Sequence, residues 1–341
     1  MKILIAALLA AHALPSLAGQ PAGIHFSHHD WEVACDNTRT CRAAGYQADD
    51  AATPAVSVLL ERQAGSGRAV AATLQLGSYD EQAPAPRGDT VTMKIDGRPL
   101  GDVAIGRKEM RGTLTAAQAQ ELVAAVAGSG RVEWTDGSHR WALSGKGASA
   151  VLLKMDEFQG RVDTPGALLR KGGKAEDGVA APLPAPEISP AAAGSTELNL
   201  PAAARTALLR ELRATIGADD CNAFAPDQLA VLRLATDKLL VYLPCWTGAY
   251  NEGTAYWVTG TTAPFKPVLV TTGGSDYAAG TILSSQKGRG LGDCWAHQEW
   301  VWDGRRFALT EAATTGMCRL VAAGGAWRLP TYVAKVTRGL R

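Results

Sequence analysis

The sequence predicts a mainly β fold of the α+β class: two β-rich domains, each a sandwich or small barrel with one packed helix, joined by a Pro/Ala/Gly-rich linker. Three observations predict it. Runs of roughly four to eight residues alternate apolar and polar through both halves, the period of a half-buried strand. Only two stretches, at 115–127 and 201–217, combine helical apolar spacing with helix end signals. Between them lies KGGKAEDGVAAPLPAPEISPAAAGS, residues 171–195, with almost no large apolar side chain. A segment with so little to bury is expected to be an extended, mobile linker. The expected layout is a signal peptide at 1–18, a first domain at 19–170, the linker at 171–195 and a second domain at 196–341.

In chain order, MKILIAALLAAHALPSLA places Lys2 before an apolar run and ends on Ser16-Leu17-Ala18, a small-x-small cleavage site. That is the anatomy of a secretory signal peptide. No later segment approaches the roughly twenty apolar residues of a membrane-spanning helix, so no membrane insertion is expected. Gly19-Gln20 stands where a lipidated protein would carry cysteine. The expected location is therefore a bacterial periplasm.

Six cysteines stand at 35, 41, 221, 245, 294 and 318. An even set in an exported chain favours disulfides, and zinc, the rival reading, would want a C-x-x-C knuckle or an H-x3-5-H pair near a cysteine, neither of which is read here. The set falls into local pairs on either side of the linker, which favours Cys35–Cys41, Cys221–Cys245 and Cys294–Cys318. No metal or other cofactor is expected. With 46% hydrophobic and 20% charged residues, the chain has the composition of a globular core. A formal net charge of +1 with no basic block gives no sign of a nucleic-acid or anionic-membrane partner.

In the first domain, DWEVACDNTRTCRA alternates around Trp31, Val33 and Cys35, and VSVLLER, AVAATLQL and TVTMKI read as further strands. Asp96-Gly97 predicts a tight turn, and Asp136-Gly137 a longer hairpin loop between RVEW and HRWALSG. The helix from Thr115 to Ala127 opens on a Thr115/Gln118 capping box and stops at Gly128. In the second domain, LPAAARTALLRELRATIG carries Leu208, Leu212 and Ile216 on one stripe. Strands follow at QLAVLRLA, KLLVYLP, TAYWVTG, PVLVTT, CWAHQEWVW and RFALTEA.

The stretch KGRGLGDCWAHQEWVW, residues 287–302, concentrates the costly residue types. A two-residue Asp303-Gly304 turn would pair Trp302 with Arg305, Trp300 with Phe307 and Gln298 with Leu309. One face then holds Cys294, Trp300, Trp302, Phe307 and Leu309 as core. The wetter face shows Trp295, His297, Glu299 and Val301, with Thr310 across from His297 and Ala308 across from Glu299. The ligand-binding candidates are Lys287, Arg289, Asp293, Trp295, His297 and Glu299.

Simpler readings stand beside each. His297 and Glu299 are a cross-strand polar pair on a solvated face, and KGRGLGD is a tight turn rather than an anion cradle. It lacks the G-K-[ST] ending of a Walker loop. Ser284-Ser285-Gln286-Lys287 matches S-x-x-K without the S-D-N and K-T-G companions that chemistry needs. His25, His28, His29 and Asp30 form a local cluster of the kind that binds metals adventitiously. Six of nine tryptophans fall in the second domain, mostly as core, with Trp246 and Trp295 as groove candidates.

The run PCWTGAYN, then KGRGLGDC, then WVWDGRRFAL, then CRL followed by Trp327, resembles the exported bacterial family known as domain of unknown function 1176. DWEVACDNTRTC is similar to the start of that family, which in turn resembles invasion-associated locus B proteins. Trp295 and Leu320 stand where the pattern carries glycine. The resemblance implies an exported protein with two β-rich parts and no established activity. The function expected is a non-enzymatic binding module of the cell envelope, taking an anionic glycan, peptide or protein. The alternative is a hydrolase with His297 as base and Glu299 orienting it, or with Asp293 and Glu299 as paired carboxylates.

Overall fold

The computed structural model describes residues 23–337 except 51, 81, 218 and 219, and the expected signal peptide lies outside the described residues. Among the described residues the chain is mainly β with three α-helices.

The first lobe begins with β1 (Ile24–His28), β2 (Trp31–Cys35), β3 (Cys41–Tyr46), β4 (Val56–Arg62) and β5 (Ala71–Leu76), an antiparallel meander. Next come β6 (Thr90–Ile95), β7 (Arg98–Ala104) and β8 (Arg111–Thr113), which closes the first sheet beside β5. Asp96-Gly97 makes the tight β6–β7 turn, both residues at positive φ, as a mirror-image hairpin turn requires. Then follow α1 (Ala116–Ala127), β9 (Val132–Thr135) and β10 (Arg140–Leu143). The second sheet has the order β10-β9-β6-β7. Helix α1 starts at the Thr115/Gln118 capping box and buries Leu122 and Val126.

One correction follows: the first lobe holds two helices, not one. α2 (Ala148–Phe158) buries Val151, Leu152 and Met155. Its N-cap is Gly147 in the left-handed region, with no side-chain cap, so the usual sequence signal for a helix start is missing. Trp31, Val33, Leu60, Trp134, Leu122 and Leu152 meet in one core shared by both sheets and both helices.

A connector carries β11 (Glu187–Ile188) and β12 (Thr196–Glu197), and α3 (Ala202–Arg213) opens the second lobe. The strands are β13 (Ala230–Ala235), β14 (Lys238–Thr247), β15 (Glu252–Thr259), β16 (Val268–Gly274), β17 (Asp276–Ala278), β18 (Thr281–Lys287), β19 (Trp295–Trp302), β20 (Phe307–Thr314), β21 (Leu329–Val333) and β22 (Lys335–Val336). They form sheets β12 to β16 and β17 to β21, each in sequence order and antiparallel. Alternation along β14 sorts the core. Leu239, Val241 and Leu243 face Leu208 and Leu212 of α3, while Leu240 packs with Ile282, Trp300 and Trp302 of the other sheet. The lobe is thus a helix, a sheet and a second sheet in three layers.

The 171–195 segment, expected to be a linker, makes backbone hydrogen bonds to both lobes. The Gly65 N–H donates to Ala180 O (2.9 Å), Ala191 N–H to Trp302 O (2.9 Å) and Gly194 N–H to Leu234 O (2.8 Å). Strand β11 pairs in parallel with β22. The segment lacks its own apolar core, but backbone groups of both lobes satisfy it instead.

The lobes also share a core. Ala34, Ala44 and Tyr46, on the outer face of the first sheet, pack against Val321, Ala326, Trp327 and Leu329. That contact explains why every residue of β2 is buried, Glu32 included.

Candidate functional site

Strand β18 pairs with β19 so that Lys287 lies opposite Trp295, Ser285 opposite His297 and Leu283 opposite Glu299. Cross-strand partners share a face, so these six side chains stand on one side of the sheet. The alternate residues Ile282 and Trp300 turn inward to the core. Trp295, His297, Glu299, Ser285 and Lys287 are all half-buried.

On the other side of β19 the register differs from expectation. Trp302 pairs with Phe307 and Trp300 with Leu309, two residues beyond the predicted pairing. The turn spans 303–306 because the Asp303 carboxylate accepts the N–H groups of Arg305 (2.8 Å) and Arg306 (2.9 Å). A slip of two preserves the faces, so Trp300, Trp302 and Phe307 are core as expected. A bulge between Glu299 and Trp300 then places Glu311 opposite Glu299 and Ala313 opposite His297. Val301, expected on the wet face, is buried.

The glycine-rich loop is closed. Gly288 N–H donates to Cys294 O (2.9 Å) and Gly292 N–H to Arg289 O (3.0 Å), so neither is turned to an anion. Position 288 admits only glycine, since a Cβ there would lie 2.7 Å from Cys294 Sγ. All three disulfides form as the local pairing predicts. The Asn251 side chain brackets the Lys287 backbone, donating to its carbonyl and accepting from its N–H, both at 2.9 Å. Tyr250 Oη donates to Gly288 O at 3.2 Å. PCWTGAYN and KGRGLGDC therefore meet at one corner through contacts that span 36 and 38 positions, a meeting sequence reading missed because nothing local signals it.

Two candidates are diverted to structural work. Asp293 is buried and accepts from Arg289 Nε at 2.8 Å and Nη2 at 2.6 Å, together with the Leu320 N–H at 2.7 Å. Burial pushes its carboxyl up, yet these hydrogen bonds hold it below its ordinary value. Arg289 and Asp293 thus neutralise each other. Asp293 also lies near the sulfurs of Cys294 and Cys318, but these are joined in a disulfide and offer no thiolate to a metal.

Three candidates stay together. Trp295 is flanked by Lys287 Nζ, 5.4 Å from its ring centre, and by His297, whose ring lies 6.0 Å away and nearly parallel. The indole is fixed by its Nε1–H to Gly292 O (2.9 Å), and its backbone N–H donates to Thr315 Oγ1 (2.8 Å). His297 Nδ1 lies 3.0 Å from Ser285 Oγ. Glu299, expected to orient His297, instead accepts from Thr310 Oγ1 at 2.8 Å.

The remaining candidates disperse. Ser284 is buried on β18 and donates to Gly273 O at 2.6 Å. In the N-terminal cluster, His25 bonds Glu32, Asp30 bonds Ser144 and Arg319, and only the rings of His28 and His29 meet. Trp246 packs beside the core under α3.

Residues 25–334 match the family described as "Protein of unknown function (DUF1176)", and the chain belongs to that family. It is similar to the uncharacterized protein YpfG of Escherichia coli (strain K12), with 26% identity over 321 residues, covering 87% of this chain and 89% of the relative. No solved structure matches. The three disulfides are consistent with an exported protein.

Proposed function

We propose that this chain is an exported, non-enzymatic binding module of the cell envelope, and that the row Lys287, Trp295 and His297 receives an anionic glycan. The observation that carries the reading is the half-buried indole with an ammonium 5.4 Å from its centre and a nearly parallel imidazole beside it. An indole face gives a sugar ring a flat apolar surface, and the lysine answers a carboxylate on the glycan. Preorganisation supports the same reading. The Asn251 bonds, the Trp295 bonds and the Cys294–Cys318 disulfide hold the row before any ligand arrives, so little ordering cost remains.

Paired-carboxylate chemistry has less support, because Asp293 is consumed by Arg289 and Leu320. A second reading rests on Ser285 and His297, whose side chains lie within reach of nucleophile and base. In that reading the module is a hydrolase of an envelope ester. A fluorophosphonate probe separates the two: labelling of Ser285 that is lost in His297→Ala favours the hydrolase.

The test of the binding reading is retention of solubilised peptidoglycan glycan fragments on immobilised full-length protein. Retention by the wild type and its loss in Lys287→Ala support it. Equal retention by both would remove the face from consideration.

A further inference from the structure

The first lobe contains a cavity of about 400 Å³ between α1 and the 161–171 segment, within the size range of small-molecule sites. One wall is apolar, made by Val70, Ala119, Val123, Ala124 and Leu168. The rest is cationic. Arg62 and Arg161 lie at the base, fully buried, and Arg68 and Lys171 are exposed at the rim, with Glu176 the one carboxylate in the lining.

The two buried guanidinium groups are not equivalent. Arg62 pairs with the buried Asp156 at 2.6 Å and donates to Gln159 Oε1 at 2.7 Å. Arg161 donates to Gln159 Oε1 at 3.2 Å and to Gly65 O, while its Nη1 has no hydrogen-bond partner among the described residues. Glu176 acts on Arg161 by its charge but makes no hydrogen bond to Nη1; its Oε2 accepts from Ser66 Oγ (2.6 Å) and the Gly67 N–H (3.0 Å), and the carboxylate also accepts from the Gly166 N–H. A buried charged donor left unpaired is costly, and such a group is ordinarily met by an anion, a water or a ligand.

The geometry points to a second binding site here, for an anion with an aliphatic body: a medium-chain carboxylate whose head group meets Arg161 and whose chain lies along Val70, Val123 and Leu168. The charge balance fits. Four cations and one carboxylate line the cavity, and Asp156 behind it cancels Arg62, leaving an excess of two positive charges for one ligand carboxylate. The apolar wall fits as well, because inorganic anions would leave it against water. Burial lowers the pKa of both arginines, an effect that an anion in the cavity would oppose. The site is separate from the Trp295 face, so either stands or falls without the other.

Calorimetric titration of the full-length protein with decanoate, decylamine and acetate tests it. Decanoate is expected to bind saturably, with decylamine and acetate at least tenfold weaker, so that both head group and chain are needed. Arg161→Gln is expected to abolish binding, but it also removes bonds that hold the fold. The decisive variant is therefore Arg68→Glu with Lys171→Glu, both exposed, which should weaken decanoate at least tenfold while the thermal melt is unchanged. Absence of decanoate binding, equal binding of decylamine, or unaltered affinity in the rim variant overturns the proposal.

Discussion

Glu32, in the second strand of the first lobe, accepts a hydrogen bond from the backbone N–H of Met317 at 2.7 Å across 285 positions of sequence. The same oxygen accepts from Tyr46 Oη at 2.7 Å, and beside it Asp30 pairs with Arg319. These buried acids join the end of the second lobe to the first sheet. Glu32→Ala strands the Tyr46 hydroxyl proton and leaves the Met317 N–H only its longer bond to Tyr46 Oη (3.1 Å), and it should cost about 2 kcal/mol, read by chemical denaturation of the full chain. A loss under about 0.5 kcal/mol, the scale of an ordinary surface change, would contradict the joint.

The other Glu32 oxygen lies 2.9 Å from His25 Nε2. That hydrogen bond, opposed by burial and aided by the charge of Glu32, raises the His25 pKa above its ordinary 6.5. A raised folded-state value means the contribution is fully present below the unfolded pKa and is lost as pH rises through the folded one. The stability gap between wild type and His25→Gln should therefore be larger at about pH 5.5 than at about pH 8.5. A gap that grows with pH would reverse the assignment.

Leu320 lies at φ 54°, in the left-handed region, and the residue is 40% exposed. This backbone region favours glycine. Leu320→Gly should raise stability by up to about 1 kcal/mol, provided that relief of the left-handed conformation outweighs the partial burial lost. A destabilised variant would show that Leu320 contributes more by packing than it costs in backbone strain.

Cys294 and Cys318 close a loop across 24 positions that contains the bulged hairpin and ends beside Met317 and Arg319. Replacing both by alanine should cost about 3 kcal/mol by the loop-entropy account. Its effect should exceed that of removing Cys35–Cys41, which spans only 6 positions. Paired denaturation curves compare them directly, and the opposite order would refute the ranking.

Local chemistry was legible in the sequence. The Thr115/Gln118 cap, the Asp96-Gly97 turn and the three cysteine pairs each depend on residues close together in the chain. Helix α2 was hidden because Gly147 offers no side chain to cap it. The last hairpin was misregistered because Asp303 binds two backbone N–H groups and widens the turn. The candidate site was half legible: Lys287, Trp295 and His297 lie together, whereas Asp293 is taken by Arg289. Ser285, Asn251 and Glu32 gave no local sign, since their partners come from distant strands. The connector showed the limit of composition, which speaks to the burial a segment can achieve alone and not to hydrogen bonds offered by its neighbours.

The binding face is tested most directly by titrating muramic-acid glycan fragments into the full-length wild type and into Trp295→Ala, with affinity read by calorimetry and folding by thermal melt. Stacking on one aromatic ring contributes on the order of 1 kcal/mol, so the variant should bind several-fold to about tenfold more weakly while its melt, lowered by the lost packing and the lost bond to Gly292, stays cooperative. Equal affinity in the two proteins would contradict the account.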